Sequence, residues 1–280
     1  MQNRTITNQK ANLFMQYLIE NEKAKATIDK YMRDVRQFIK YSADKPLDKA
    51  LVLEYKTVLE QTYAVRSANS MLAALNAFFR FLGWQDLCAK QFKMQKEVYC
   101  SEEKELTKAE YIALVKTAEQ EKNLRLSLVL QTICGTGIRV SELQSITVEA
   151  VRRGEAIVSC KGKTRKIFIV SNLKKKLLRY AAEQKIVSGF IFMTKAGKPL
   201  DRSNIWREMK RLCEQAGVSS QKVFPHNLRH LFARTFYSIE KDIAKLADIL
   251  GHSNINTTRI YIVTTGAEHQ RRMENMRLVI

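Results

Sequence analysis

Six side chains after residue 130 are of the types that act together on a phosphate group. They are two arginines, a lysine, two histidines and a tyrosine: Arg139, Arg229, Lys161, His226, His252 and Tyr261. Cationic and hydrogen-bonding groups stabilise the charge on phosphate oxygens during phosphoryl transfer. A tyrosine hydroxyl can be the nucleophile, and the phosphodiester it forms resembles the bond broken, so the step is reversible without ATP. Neither a carboxylate cluster for Mg²⁺ nor a Gly-x-x-x-x-Gly-Lys loop accompanies them, so we expect no metal and no cofactor.

Two of these residues lie in segments whose pattern can be explained by a structural role as well as by a catalytic one. In CGTGIRVSEL, Gly135 and Gly137 are predicted to break an apolar helix and to let a ligand approach the backbone, while Arg139 offers a fork for two phosphate oxygens. Arg139 could equally form a structural ion pair with Glu142. Lys161 is predicted at a hairpin tip, where it could donate a proton, although hairpin tips commonly carry solvated lysines. Neither segment alone decides between function and structure.

The segment FPHNLRHLFARTF predicts a helix that begins at a candidate anion site. Pro225 suits the first helical position, so His226 and Arg229 share one face near free backbone N–H groups. The alternative is a capping histidine with a surface arginine. His226 and His230 have a spacing found in metal sites, but the intervening residues lack the glutamate of a zinc hydrolase. A metal is therefore disfavoured here.

The segment LGHSNINTTRIYI predicts a turn followed by a short helix. Gly251 can end the preceding helix, and Ser253 or Asn254 can cap the next. Tyr261 is predicted about two turns along that helix, facing the same side as His252. The alternative is a half-buried aromatic residue whose hydroxyl bonds to a neighbour.

Composition favours a polyanionic partner. The 280 residues carry a net charge of +20, with a pI of about 9.8, and the excess of lysine and arginine covers both halves of the chain. The alternative is simply a basic surface. No apolar run approaches the roughly 20 residues of a membrane span, and the N-terminus does not resemble a signal peptide, so we expect a cytoplasmic protein. Five scattered cysteines are expected to be reduced and to bind no zinc: Cys88, Cys100, Cys134, Cys160 and Cys213.

The first hundred residues are predicted to be helical because their apolar residues recur at helical spacing. One such stripe consists of Ile28, Tyr31, Val35 and Phe38. Four helices are expected, near residues 7–21, 24–41, 48–61 and 65–82. Residues 1–97 are therefore predicted to form one helical domain.

A charged segment without clear periodicity, residues 98–106, is the predicted linker. Thr107 and Glu110 then form a capping box that begins a second domain, residues 107–280. Two β-branched runs, residues 155–160 and 164–170, predict one hairpin within an otherwise helical domain. The fold class is therefore mainly α, with a small antiparallel sheet in the second domain.

The order of these motifs resembles the tyrosine recombinase (phage integrase) family. The resemblance rests on GTGIRVSEL, CKGK, HNLRH and LGHSNINTT, followed by the tyrosine nine residues after the last histidine. It covers the whole chain, less specifically in the first domain, and the compact layout is similar to Xer-like recombinases. It implies a four-helix SAM-like core-binding domain followed by a mixed α/β, mostly helical catalytic domain.

The resemblance also implies a role for each residue. Arg139 and Arg229 would clamp the scissile phosphate, and His226 and His252 would add hydrogen bonds and proton transfer. Lys161, with Lys163 as the alternative, would protonate the leaving 5′ oxygen. Tyr261 would form a 3′-phosphotyrosine. His230 would pack beneath the site, and Glu142 would orient an arginine.

The family acts on double-stranded DNA as a homo-tetramer that forms a Holliday junction. The resemblance therefore implies a site-specific recombinase that integrates or excises a mobile element or resolves DNA multimers. It leaves room for monomers or dimers off DNA, for accessory DNA-bending or directionality factors and for association with the nucleoid. The apolar tail could pack on a neighbouring subunit or on its own domain. Two alternatives remain: a type IB topoisomerase and a non-catalytic DNA-binding regulator.

Overall fold

The chain forms two compact units, residues 1–96 and 97–280, each with its own apolar core. A computed structural model describes residues 4–43, 45–94, 105–160, 163–194, 196–261 and 273–276. The predicted linker at 98–106 lies outside these residues except for its last two. None of the helices in the described ranges has the length and apolarity needed to cross a bilayer.

The first unit contains the four predicted helices, each within two residues of its expected bounds. They are α1 (Asn8–Glu20), α2 (Lys25–Tyr41), α3 (Lys49–Thr62) and α4 (Val65–Phe81). Thr7 and Asp48 cap α1 and α3 through their side chains. The apolar stripes meet in a core that buries Phe14, Phe38 and Phe78 completely. The predicted helical domain is confirmed.

The second unit is mostly helical. Among the described residues its helices include α5 (Lys108–Gln120), α6 (Leu124–Thr136), α7 (Val148–Arg153), α8 (Ser171–Glu183), α9 (Arg202–Gln215), α10 (Pro225–Glu240), α11 (Ile243–Leu250) and α12 (Ile255–Arg259), with a 3₁₀ helix at Val140–Ser145. The predicted capping box begins α5: the Glu110 N–H donates to Thr107 Oγ1 at 3.1 Å, and the Thr107 N–H donates to Glu110 Oε2 at 2.8 Å. Helix α6 packs against α5, α8 and α10, so the ends of several elements meet around it.

The predicted hairpin is present as β1 (Glu155–Cys160) and β2 (Lys163–Phe168), paired antiparallel. Alternation places Ala156, Val158 and Ile167 in the core, whereas Phe168 is exposed. Arg165 lies opposite Val158 in the register. This hairpin therefore directs a cation toward the buried side of the sheet.

Two local predictions were wrong. Gly135 does not break the helix but lies inside α6, where a Cβ would only meet Leu173 Cδ2 at 3.9 Å. One left-handed residue is enough to end a helix, and Gly137 (φ 65°) is that residue. Tyr261 does not lie within α12, which is capped by Asn254 and ends at Arg259. A tighter turn follows, in which the Tyr261 N–H donates to the Thr258 carbonyl at 3.0 Å.

Candidate active site

Five of the six candidate residues come together in the second unit, although they lie on separate elements. Arg139 precedes the 3₁₀ helix, and His226 and Arg229 lie in the first two turns of α10, with Pro225 at the predicted first position. His252 lies in the turn before α12, and Tyr261 follows that helix. The sixth candidate, Lys161, lies outside the described residues, as does the side chain of the alternative, Lys163.

Arg229 lies at the centre of the group and is only 2% exposed. It donates hydrogen bonds to the carbonyl oxygens of Gly137 and Leu250, the latter at 2.6 Å, and to His252 Nε2 at 3.1 Å. Both carbonyls lie at helix C-termini, where carbonyl groups lack partners within the helix and the helix dipole is negative. The guanidinium is thus fixed by the ends of α6 and α11.

The hydrogen bonds of His252 define its tautomer. A guanidinium can only donate, so the ring nitrogen facing Arg229, Nε2, must accept. The proton of the neutral ring is therefore on Nδ1, which donates to Thr258 Oγ1 at 2.9 Å. Thr258 is fully buried and holds the imidazole with its Nε2 lone pair toward the arginine.

Tyr261 is 2% exposed and is surrounded by imidazole rings. The His252 ring stacks on it with an interplanar angle of 14° and a centroid distance of 5.7 Å, while His230 meets it edge-on at 4.3 Å. The His226 ring centroid is 6.1 Å away. The pKa of Arg229 is lowered mainly by burial and by Arg139, and the nearby phenol of Tyr261 acts in the opposite direction. The candidate nucleophile thus lies beside a candidate phosphate ligand.

Arg139 is held by Glu142, as one of its two interpretations predicted. Its backbone N–H donates to Glu142 Oε2 at 2.9 Å and its Nη1 to Oε1 at 3.0 Å, while Nη2 donates to the Gly251 carbonyl at 3.2 Å. Arg165 bonds to the same carboxylate, with Nη1 to Oε1 at 3.0 Å and Nη2 to Oε2 at 2.8 Å. The ion pair does not remove Arg139 from the site, because 30% of the Arg139 side chain stays exposed.

Burial and positive charge keep the three imidazoles mainly neutral at pH 7. Burial, together with the charges of Arg229 and Arg139, lowers the pKa of His252 to about 4. Burial, His226 and Arg229 lower the pKa of His230 to about 4, and the pKa of His226 also falls below its usual value, mainly through burial. Burial, and then Arg139, lower the pKa of Arg229 to about 10, so it keeps its charge at pH 7.

Comparison with known proteins decides the family. Residues 104–267 match the model of the phage integrase family, and residues 11–86 match the phage integrase N-terminal SAM-like domain. The chain belongs to the phage integrase family. Tyrosine recombinase XerA of Pyrococcus horikoshii is 30% identical to it over 273 residues, which cover 95% of this chain and 93% of the relative.

Two solved structures share the fold of this integrase-family chain. A lambda integrase tetramer bound to a Holliday junction has a TM-score of 0.74 at 19% identity, covering 93% of this chain and 78% of that chain. The XerH site-specific recombinase, in a post-cleavage complex with a palindromic difH substrate, has a TM-score of 0.71 at 18% identity, covering 99% and 91%. The family assignment confirms the predicted class: the protein is a tyrosine recombinase, a DNA strand-exchange enzyme. The topoisomerase and regulator alternatives are not favoured.

Two glycines allow the close packing of the recombinase site. Gly137 has φ of 65°, and a Cβ there would lie 2.5 Å from Phe232 Cδ1. Gly251 has φ of 64°, and a Cβ there would lie 2.7 Å from Arg165 Cδ. Any L side chain would therefore combine backbone strain with a clash. Both carbonyl groups accept hydrogen bonds from the candidate arginines, so these positions shape the site directly.

Arg165 and Thr258 are members of the site that sequence reasoning missed. The alternation of side chains along β2 could have indicated Arg165. It lies two residues from the buried Ile167, so both side chains are on the same face of the strand. Thr258 lies four residues after the helix cap Asn254, and this position in the sequence did not indicate a hydrogen bond to His252. Among the described residues, no group of three or more His, Cys, Asp or Glu side chains lies close enough to hold a metal ion.

Proposed function

We propose that the recombinase cleaves DNA by transferring the scissile phosphate to the hydroxyl of Tyr261. The observation that supports this most directly is the packing of the Tyr261 ring against His230 and His252, of which His252 accepts a hydrogen bond from Arg229. Attack by Tyr261 Oη forms the tyrosine–phosphorus bond and breaks the bond to the 5′ oxygen. The 3′-phosphotyrosine keeps the energy of a phosphodiester, so a 5′ hydroxyl can reverse the step without ATP.

Arg139 and Arg229 are assigned to the nonbridging oxygens of the phosphate. Both belong to a positively charged group in which Arg139 is partly exposed and Arg229 is buried. Preorganised cations at such a site stabilise the transition state because they need no reorganisation as charge develops. A phosphate oxygen would replace part of the hydrogen bonding that helix-end carbonyls now provide.

Proton transfer is assigned to His226 and to Lys161. His226 is mainly neutral at pH 7, because burial and nearby arginines lower its pKa, so its ring can accept the phenolic proton. His252, whose Nε2 accepts from Arg229, is assigned to hydrogen bonding at the phosphate. Lys161 is assigned to protonate the leaving 5′ oxygen. In the reverse reaction the histidine returns the proton to the Tyr261 oxygen and Lys161 takes its proton back from the 5′ hydroxyl, which leaves the enzyme unchanged after religation.

The substrate is proposed to be double-stranded DNA exchanged within a homo-tetramer through a Holliday junction. The net charge of +20 supports a DNA partner, and the lambda integrase likeness supports the assembly. The biological task is integration or excision of a mobile element or resolution of DNA multimers. The proposal locates the enzyme with DNA in the cytoplasm, where DNA-bending or directionality factors can assist it.

A nicked suicide duplex tests the assignment of Tyr261. The duplex is built from the inverted repeats that flank the gene, and covalent protein–DNA adducts are resolved on denaturing gels. The native protein should form an adduct on the 3′ side of the break, with the phosphate on Tyr261 in peptide mass spectra. Tyr261→Phe should form none, with its DNA dissociation constant changed less than about threefold, because it loses one oxygen and little packing.

Tyr237→Phe is the matched control, because Tyr237 packs against the same small apolar cluster as Tyr261. It should form adducts at the native rate. Adducts that persist in Tyr261→Phe, or that map to a different tyrosine, would refute the assignment.

A further inference from the structure

The Glu142 carboxylate is shared equally by two arginines. Each of its oxygens accepts one hydrogen bond from Arg139 and one from Arg165, at 2.8–3.0 Å. Glu142 is only 6% exposed, so water has little access to compete for these bonds. A bidentate guanidinium fixes the plane of a carboxylate, so the orientation that Glu142 offers to Arg139 is set from the Arg165 side.

Arg165 also contacts the second support of Arg139. Its Cδ lies so close to Gly251 that a Cβ on that residue would be 2.7 Å away. The Gly251 carbonyl accepts the bond from Arg139 Nη2. The two groups that hold the Arg139 side chain, Glu142 and Gly251, therefore both touch the same side chain on β2.

The two arginines differ in what they can offer to a substrate. The Arg165 side chain is 12% exposed, both of its terminal nitrogens are bonded to Glu142, and its Nε is buried without a partner among the described residues. Arg139 is 30% exposed. A buried ion pair is weak evidence for stability, so the arrangement is better explained by the orientation it imposes on Arg139.

We propose that Arg165 is a positioning residue for strand exchange: through Glu142 and the Gly251 turn it holds the Arg139 guanidinium in the orientation that receives the scissile phosphate. This rests on the proposed function, in which Arg139 contacts that phosphate. Because Arg165 belongs to β2, the position of the hairpin is coupled to the orientation of Arg139.

Single-turnover cleavage of the suicide duplex, at saturating protein, measures the effect of Arg165→Gln. We expect the rate constant to fall roughly 10–100-fold, the scale seen when a group that orients an active-site residue is removed. The DNA dissociation constant should change less than about threefold. Lys166→Gln is the matched control: it removes the same charge from the next residue of β2, which is 58% exposed and pairs with Glu155. It should cleave within about twofold of the native rate.

A second comparison separates positioning from a general structural role. Arg165→Gln is repeated in an Arg139→Lys background, which lacks the guanidinium group that Arg165 is proposed to orient. The penalty should shrink to less than about threefold, because coupled residues are not additive. An equal penalty in both backgrounds would overturn the proposal, as would native-rate cleavage by Arg165→Gln. If thermal melting shows that Arg165→Gln is unfolded, Arg165→Lys replaces it, since one ammonium group cannot bond both oxygens as a guanidinium does.

The native protein distinguishes a failure of this inference from a failure of the proposed function. Adducts on Tyr261 in the native protein, together with slow cleavage by Arg139→Lys, support the proposed function whatever Arg165 does. Native-rate cleavage by Arg165→Gln in that case overturns only the inference. A native protein that forms no adduct on its own repeats overturns both.

Discussion

Replacing Arg229 by methionine should separate the chemistry of the site from the stability of the fold. Methionine has a similar length and fills most of the space, but it has no charge and no donor. The change removes the hydrogen bonds to the Gly137 and Leu250 carbonyls and to His252 Nε2. It also removes a cation that is 2% exposed.

The lost hydrogen bonds lower the free energy of unfolding and the removal of a buried charge raises it, so the two effects nearly cancel. Two carbonyl groups left unpaired cost roughly 1–3 kcal/mol each, or about 2–6 kcal/mol together. Burial and Arg139 lower the pKa of Arg229 from 12.5 to about 10, so removing the charge returns about 3 kcal/mol, at roughly 1.4 kcal/mol per pKa unit. The net loss of stability should be on the order of 1 kcal/mol. Cleavage should fall by at least about 10²–10³-fold, as expected when a preorganised donor to a developing charge is lost.

Urea denaturation at pH 7 and single-turnover cleavage of the suicide duplex measure the two quantities on the same preparation. Arg229→Lys is the matched variant, because it keeps the charge but cannot serve two carbonyls with a rigid fork. It should cleave faster than Arg229→Met. A folded Arg229→Met protein that cleaves within tenfold of the native rate would refute the clamp. Complete unfolding of that variant would show that the hydrogen bonds to the carbonyls outweigh the buried charge.

Two further predictions concern stability. Gly137 (φ 65°) and Gly154 (φ 84°) would both strain an alanine, but only Gly137 adds a clash, 2.5 Å from Phe232 Cδ1. Gly154→Ala should therefore lower the unfolding free energy by roughly 1–2 kcal/mol, and Gly137→Ala by at least about 3 kcal/mol; equal losses in urea denaturation would contradict this. His230 and His252 have pKa values lowered to about 4, mainly by burial, against about 6.5 in the unfolded chain. The unfolded chain therefore binds more protons between these values, so stability should fall as pH drops from 6.5 toward 4, and both groups should contribute nothing above about pH 7. His230→Gln should reduce that slope in urea titrations, and an unchanged slope would show that His230 titrates normally.

The helices and the hairpin could be predicted because the burial that stabilises them follows local periodicity. Apolar residues three and four apart located the four helices of the first unit, and β-branched runs located the strands. Ends were less certain, because they depend on single residues. Gly135 tolerates a helical conformation at a cost of about 1 kcal/mol, and the turn after α12 excludes Tyr261 from the helix.

The supports of the site could not be predicted because they join residues that are distant in the chain. Arg165 and its partner Glu142 are 23 residues apart, and Arg229 bonds to a backbone carbonyl at Gly137, 92 residues away. Every residue has a backbone carbonyl group, so residue type does not indicate which carbonyl groups accept these hydrogen bonds. The cations and the Glu142 carboxylate could therefore be predicted from their types and order, but the carbonyl groups and Arg165 could not.

The burial of Tyr261 has a consequence for what happens after cleavage. Once the phosphate is attached to its oxygen, the rings of His230 and His252 that pack against Tyr261 in the free protein would also keep bulk water from the new ester. Hydrolysis at that stage would release the enzyme and leave a permanent double-strand or single-strand break. In the proposed reaction, the packing that aligns the phenol would thus also protect the recombining DNA from a permanent break.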